Sequence, residues 1–445
     1  MTTSTPTWAI APFGLYLLLI ATLPLFFGAF WEHNRNKLIV AALISAPVLI
    51  YLFSGGVGGG EVLLRTGVDY VSFIALLGAL FTISGGIHLR GSLSGSSGAN
   101  TGFLAIGAVL GSLIGTTGAS VLLIRPLLRA NERREYTTHI VVFFIFIVSN
   151  AAGLLTPLGD PPLFLGFLRG VPFTWTLRLA APWALVNGVL LTLFTIFDRV
   201  ILAREQRHPR RRSSTSPRGT SPVEPLHLDG AINLLWLLGI VVVVFVMGTY
   251  GTALFGDSYL RSVVQILGMV ACAVLSLVTT KREIHQANRF SWAPIIEVAV
   301  VFVGVFVTMI PALSFLGERG ASLGVTKPWQ FFWASGALSS VLDNAPTYLT
   351  FASLAVGVTN SGGANLSVEN LGALASHPTG QHLLAAVSCG AVFMGAITYI
   401  GNGPNFIVKS IAEQHHVRMP SFFGYTLWSF AILVPLFGIV SHIFF

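Results

Sequence analysis

Two stretches about 240 residues apart carry one pattern. The first is Gly153-Leu154-Leu155-Thr156-Pro157-Leu158-Gly159-Asp160-Pro161-Pro162-Leu163-Phe164, which follows an apolar run over 140–148. The second, Gly395-Ala396-Ile397-Thr398-Tyr399-Ile400-Gly401-Asn402-Gly403-Pro404-Asn405-Phe406, follows another such run. Both fit G-x-x-T-x-x-G-[DN]-x-P-x-F, so the chain contains an internal duplication. In each copy an apolar helix meets Gly, Pro and a carboxylate or amide before apolar sequence resumes, the pattern of a membrane helix broken inside the bilayer. Paired breaks at corresponding points of two repeats point to the binding site of a transporter.

The rest of the chain agrees with a membrane setting. Hydrophobic residues make up 53% and charged residues 9%, against roughly 25% charged in soluble domains, and the mean hydropathy is +0.77. Apolar runs of about 20 residues, each able to cross a core of roughly 30 Å, predict an all-α polytopic membrane protein and exclude a β-barrel. The net charge of +8 reflects Lys and Arg in loops, where they orient a membrane protein, so nucleic acid is not an expected partner. Cys272 and Cys389 lie in apolar segments, which argues against a disulfide framework. The first residues carry no Lys or Arg ahead of the apolar run, so no cleaved signal peptide is expected.

Crossings are predicted at 13–30, 37–54, 68–89, 137–170 (broken) and 173–198, then at 230–250, 260–280, 292–316, 380–412 (broken) and 420–444. Between the third and fourth crossing of each half lies an apolar segment with a polar centre: 102–129, interrupted at Gly115-Thr116-Thr117-Gly118, and 329–357, interrupted at Asp343-Asn344-Ala345-Pro346-Thr347. Arms of about 12 residues rise roughly 18 Å, too short to span, so both read as re-entrant hairpins. The expected organisation is a first repeat over 1–198, an Arg-rich linker over 199–229 and a second repeat over 230–445. Five crossings per repeat invert the second relative to the first. All but six of the 25 Lys and Arg then fall on one side, the six being Arg65, Arg169, Arg178, Arg261, Arg319 and Lys327. The linker is accordingly expected to be flexible and cytoplasmic, with both termini external.

A carboxylate deep in a membrane helix costs about 2.5–3.5 kcal/mol on insertion scales, so each one asks for a role. Asp160 and Asp343 sit beside breaks, where half-helix dipoles and free backbone groups can meet an ion; either could instead only cap the helix that follows. Thr116, Thr117, Thr156, Thr398, Asn150, Asn344, Asn402 and Asn405 supply hydroxyls and amides at the same breaks, and Ser149 adjoins them. Glu297, near the start of a crossing, is a candidate proton-coupled group or merely interfacial. His88 ends the third crossing and is read as incidental. There is no phosphate loop, no His/Cys metal cluster and no nucleophile motif, so an enzyme is not expected.

The pattern resembles the ion transporter superfamily, which groups NhaD-type sodium/proton antiporters, arsenite permeases, citrate-metal transporters and divalent anion/sodium symporters. Ser340-Val341-Leu342-Asp343-Asn344-Ala345-Pro346-Thr347 looks like the D-N-x-P segment of the NhaD-type proteins, and Thr156-Pro157-Leu158-Gly159-Asp160 like their T-P-x-G-D segment. The Ser-Asn-Thr signatures of the anion symporters are not matched: Ser149-Asn150 is followed by Ala151-Ala152, and the first hairpin tip has Gly-Thr-Thr-Gly. The resemblance implies a homodimer in a bacterial cytoplasmic (inner) membrane.

Carboxylates with neutral oxygens and no deep Lys or Arg suit a small hard cation, so the first expectation is Na⁺/H⁺ antiport by alternating access. Na⁺ and H⁺ would compete at Asp160 and Asp343, with no cofactor beyond the ions. The alternative is a Na⁺- or H⁺-coupled carrier of citrate or another carboxylate. A channel would need a continuous polar lining that the sequence does not show.

Overall fold

The computed structural model describes residues 5–56, 59–90, 95–207, 227–256 and 259–445. Arg210, Arg211, Arg212 and Arg218 of the expected linker lie outside them, as do residues 57–58 and 91–94.

The chain is almost wholly α-helical. Its principal helices are α1 (Ala11–Phe26), α2 (Asn34–Phe53), α3 (Gly59–Gly85), α4 (Ser97–Ile114), α5 (Thr116–Ala130), α6 (Thr138–Ile147), α7 (Pro161–Leu168), α8 (Ala180–Arg207), α9 (Asn233–Phe255), α10 (Tyr259–Thr279), α11 (Ala293–Arg319), α12 (Pro328–Ser339), α13 (Asn344–Ser361), α14 (Pro378–Met394), α15 (Gly403–Gln414) and α16 (Phe422–Phe444). A two-stranded antiparallel ribbon pairs β1 (His88–Arg90) with β2 (His227–Asp229). Among the described residues ten helices are long and apolar enough to cross a membrane. Leu267, Val278, Phe423 and Leu427 stand exposed on their outer faces, where hydrocarbon rather than water satisfies them. This is an all-α polytopic, integral membrane protein.

The two broken crossings occupy the centre. Every residue of α6 except Thr138 is buried, and α14 is buried along most of its length, whereas α9 and α10 are largely uncovered. Close approach needs small side chains: a Cβ on Gly390 of α14 would lie 2.3 Å from the Phe332 carbonyl of α12.

Several boundaries differ from expectation. The segment 102–129 begins earlier, at Ser97, because Ser96 caps it by accepting from the Ala99 N–H at 3.3 Å. Its arms therefore hold 18 and 15 residues rather than about 12, and α4 by itself is long enough to span. In the second interrupted segment the arms hold 12 and 18 residues. The expected linker does not start at 199, since α8 continues to Arg207.

That extension of α8 has a physical reason. Asp198 is fully buried and gathers Arg134 Nη1, His139 Nε2 at 2.8 Å and Asn100 Nδ2 at 3.3 Å. Two turns later Glu205 accepts from Arg134 Nε at 3.3 Å and from the Tyr136 N–H at 2.9 Å. The network ties α4, α6, α8 and the 131–137 turn together. Removing the acid leaves Arg134 buried without its principal counter-charge, which typically costs about 3–5 kcal/mol. Asp198→Asn is expected to lower the unfolding free energy of the purified protein by an amount in that range; a denaturant midpoint equal to wild type would refute it.

Candidate functional site

Both breaks are built alike. The carbonyl of Gly153 folds back onto Gly159, where a Cβ would stand 2.3 Å from it, and Gly395 folds onto Gly401 with a corresponding distance of 2.7 Å. Between each glycine pair stands the repeated threonine. Thr156 Oγ1 donates to the Ser112 carbonyl near the end of α4, and Thr398 Oγ1 donates to the Ser340 carbonyl just past α12 at 2.5 Å. Each threonine therefore pins a break to the neighbouring helix–helix turn and does not reach the cavity described below. The residues after the second glycines share one extended backbone, φ −147°, ψ 145° at Asp160 and φ −152°, ψ 138° at Asn402. They open α7 and α15.

Asp160 is 2% exposed, and its carboxylate does not cap α7. Pro161 and Pro162 remove the first two N–H groups it could have met. Instead Oδ1 accepts from Thr116 Oγ1 at 2.8 Å and from Asn402 Nδ2 at 3.3 Å, while Oδ2 accepts from Asn344 Nδ2. Three donors from three elements offset the desolvation of the carboxylate. Asn402 Nδ2 also reaches the Ser149 carbonyl at 3.1 Å and Asn150 Oδ1 at 3.2 Å. Asn150 Nδ2 donates onward to Asn405 Oδ1 at 2.7 Å, and Asn405 Nδ2 returns to the Gly395 and Thr398 carbonyls. A buried amide chain thus links the two breaks. Asn344 Oδ1, also buried, has no partner among the described residues.

Asp343 behaves differently. Its Oδ1 accepts from the Ala345 N–H at 3.0 Å, so it caps α13 as one of the two sequence readings anticipated. It is partly exposed and borders, with Asp160, Thr116, Thr117 and Asn402, a cavity of about 100 Å³. The opposite wall is apolar: Phe73, Leu76 and Leu80 of α3, and Ile295, Val298 and Phe302 of α11. Among the described residues no Lys, Arg or His lines it.

Glu297 lies elsewhere. It is on α11 between cavity-lining Ile295 and Val298 but faces away, pairing with Lys37 of α2 at 2.5 Å with its side chain 53% exposed. A carboxylate already neutralised at the helix start has no contact with Asp160, so the structure removes it from the candidate site. His88 sits in β1, 3.7 Å from Asp229. Among the described residues no group of three His, Cys, Asp or Glu is placed to hold a metal ion; Asp160 accepts three hydrogen bonds, which leaves its carboxylate room for one further contact. The α3 and α11 wall carries no motif, since its residues are ordinary members of apolar helices, and sequence reasoning did not single them out.

A polytopic helical protein whose central helices break around a buried carboxylate and a cavity has the build of a secondary transporter. The family model described as "Putative citrate transport" matches residues 2–445. The chain belongs to this family and is a secondary transporter of the citrate-transporter type. No curated protein matches it.

Proposed function

We propose that the protein moves citrate or a related carboxylate across the membrane together with H⁺ or Na⁺. One observation carries this reading: α5, α7, α13 and α15 all begin at the cavity, with Thr116, Pro161, Asp343 and Gly403 at its edge. A helix N-terminus acts as roughly half a positive charge, so four offset about two negative ones. With Asp160 and Asp343 both ionised the site is close to neutral. A proton or Na⁺ held at Asp160 leaves a positive excess that attracts a carboxylate, and loss of the cation releases it. That dependence is the coupling. The apolar face of α3 and α11 gives the broken segments a surface without hydrogen bonds to break, which suits movement of hairpin and broken-helix units against a scaffold in inverted repeats.

The absence of a cationic side chain from the lining favours a second reading, Na⁺/H⁺ antiport at the same carboxylates. Proteoliposomes separate the two. Radiolabelled citrate is expected to accumulate only under an inward H⁺ or Na⁺ gradient, with no Na⁺-driven proton flux when citrate is absent. Robust Na⁺-dependent proton flux without any organic anion, and no citrate uptake, would establish antiport instead.

A further inference from the structure

From the cavity α5 and α15 run side by side toward one face of the protein, packed on each other, and α3 ends nearby before β1. Four basic residues meet there. Arg125 and Arg129 are one turn apart on α5, Arg289 follows the short helix Arg282–Ala287, and His415 directly follows α15. Arg289 Nη1 holds Gln414 Oε1 at 3.4 Å, with its own backbone left-handed at φ 48°. Arg129 Nη2 holds the Leu89 carbonyl at 2.8 Å. Arg125 makes no hydrogen bond or ion pair among the described residues, and its Nη1 is buried without a partner. Arg125 lies within electrostatic reach of Arg289 and Arg129, and His415 within reach of all three. Of the acids in this region, Glu132 acts on His415, Glu413 is paired with Lys409 at 3.1 Å and Asp229 lies 3.7 Å from His88.

Clustered guanidiniums repel one another, and a buried unsatisfied N–H adds to the cost. The hydrogen-bond partners of Arg289 and Arg129 are neutral and bring no counter-charge of their own. Guanidinium forks match carboxylate and phosphate oxygens in pairs, which a point charge does not. The cluster also stands in line with the transport cavity: Phe81, in the cavity wall, packs on Phe290 at 5.5 Å between ring centres, and Phe290 is the residue after Arg289.

We propose that Arg125, Arg129 and Arg289 form a binding site for a multivalent oxyanion at the mouth of the transport pathway, where a polycarboxylate substrate is held as it enters or leaves. The substrate assignment rests on the carboxylate reading above; the oxyanion site does not. Arg125 commits no hydrogen bond or ion pair to the fold among the described residues, so Arg125→Gln and Arg125→Lys should both fold.

The test uses the full-length protein in uncharged detergent, with thermal stabilisation by pyrophosphate and by citrate as the readout. Pyrophosphate is expected to stabilise wild type and Asp160→Asn alike, while Arg125→Gln and Arg289→Gln need at least about tenfold more of it. Arg125→Lys should fall between. Citrate should compete with pyrophosphate, and citrate flux started from the arginine face should show a raised KM in Arg125→Gln, with KM from the opposite face unchanged. Equal stabilisation of wild type and both Gln variants, or none in any, overturns the site. Competition by phosphatidylglycerol but not by citrate makes the ligand a lipid headgroup and overturns the substrate role. If wild type binds pyrophosphate through these arginines yet never transports citrate, the carboxylate reading fails and the oxyanion site stands.

Discussion

Asp160→Asn is expected to fold normally and to lose ion-coupled uptake. The wild-type carboxylate accepts three hydrogen bonds, from Thr116, Asn402 and Asn344. An asparagine offers one oxygen, which can keep Thr116 and Asn402, and one NH₂ group, which would face the Asn344 amide donor. That conflict resolves locally. Asn344 Oδ1 has no partner among the described residues, so a turn of the Asn344 amide presents an oxygen to the new NH₂ and restores the bond. Capping is not at stake, because the Asp160 side chain does not cap α7. What disappears is the negative charge and the proton acceptor. A hydrogen bond to a charged group is worth about 1.5–3 kcal/mol, so binding of the coupling ion should weaken by roughly tenfold to a hundredfold. Uptake driven by the ion gradient, measured in proteoliposomes against wild type with matched protein insertion, should fall at least as far, whereas the melting temperature should change little. A variant that still concentrates substrate against its gradient at the wild-type rate would exclude Asp160 from coupling. Asp343→Asn makes a useful contrast: Asp343 caps α13 through its side chain, and Asn caps nearly as well, so any loss there reports charge rather than folding.

The duplicated motif was the most legible part of this chain, because the same local geometry had to be encoded twice. Gly153 and Gly159, like Gly395 and Gly401, stand where the backbone folds on itself, and the paired residues Asp160 and Asn402 meet in one hydrogen bond. Thr156 and Thr398 were found by the same repeat but their task was not, since position in a motif does not tell whether a hydroxyl faces a cavity or a neighbouring carbonyl. Glu297 was singled out for lying in an apolar helix. Its partner Lys37 is 260 positions away, and only the packing of α2 on α11 reveals the pair. Asp198 carries no signal in the sequence for the same reason, as Arg134, His139 and Asn100 come from three other elements. The expected arm over 102–114 falls short of α4 because the Ser96 cap sets its start at Ser97.

Among the glycines of the two breaks, the largest structural effect is expected from Gly159→Ala. A Cβ at Gly159 would stand 2.3 Å from the Gly153 carbonyl oxygen and 2.8 Å from its carbon. The obstacle is backbone, so no rotamer change relieves it. The Gly159 carbonyl also accepts from the Thr116 N–H at 2.8 Å, which anchors the start of α5 and prevents the loop from sliding away. Gly401→Ala meets the Gly395 carbonyl at 2.7 Å and those of Ser339 and Ser340 at 2.8 and 3.0 Å, a similar cage with slightly more room. At Gly395 the nearest atoms are the Asn150 Oδ1 side-chain oxygen at 3.1 Å and the Gly401 carbonyl oxygen at 3.2 Å, contacts that a shift of a few tenths of an ångström relieves. The order of damage should therefore be Gly159→Ala, then Gly401→Ala, then Gly395→Ala. The first should exceed the roughly 1–3 kcal/mol typical of an overpacked core, and the last should stay near its lower end. Folded yield and denaturant midpoints of the three variants measure this directly, and a Gly159→Ala protein as stable as Gly395→Ala would contradict the geometry. Because Asp160 is the next residue, any backbone shift that accommodates the methyl group also displaces its carboxylate from Thr116, Asn344 and Asn402. Gly159→Ala protein that does fold should accordingly lose coupled uptake, even though position 159 contributes no side chain to the site.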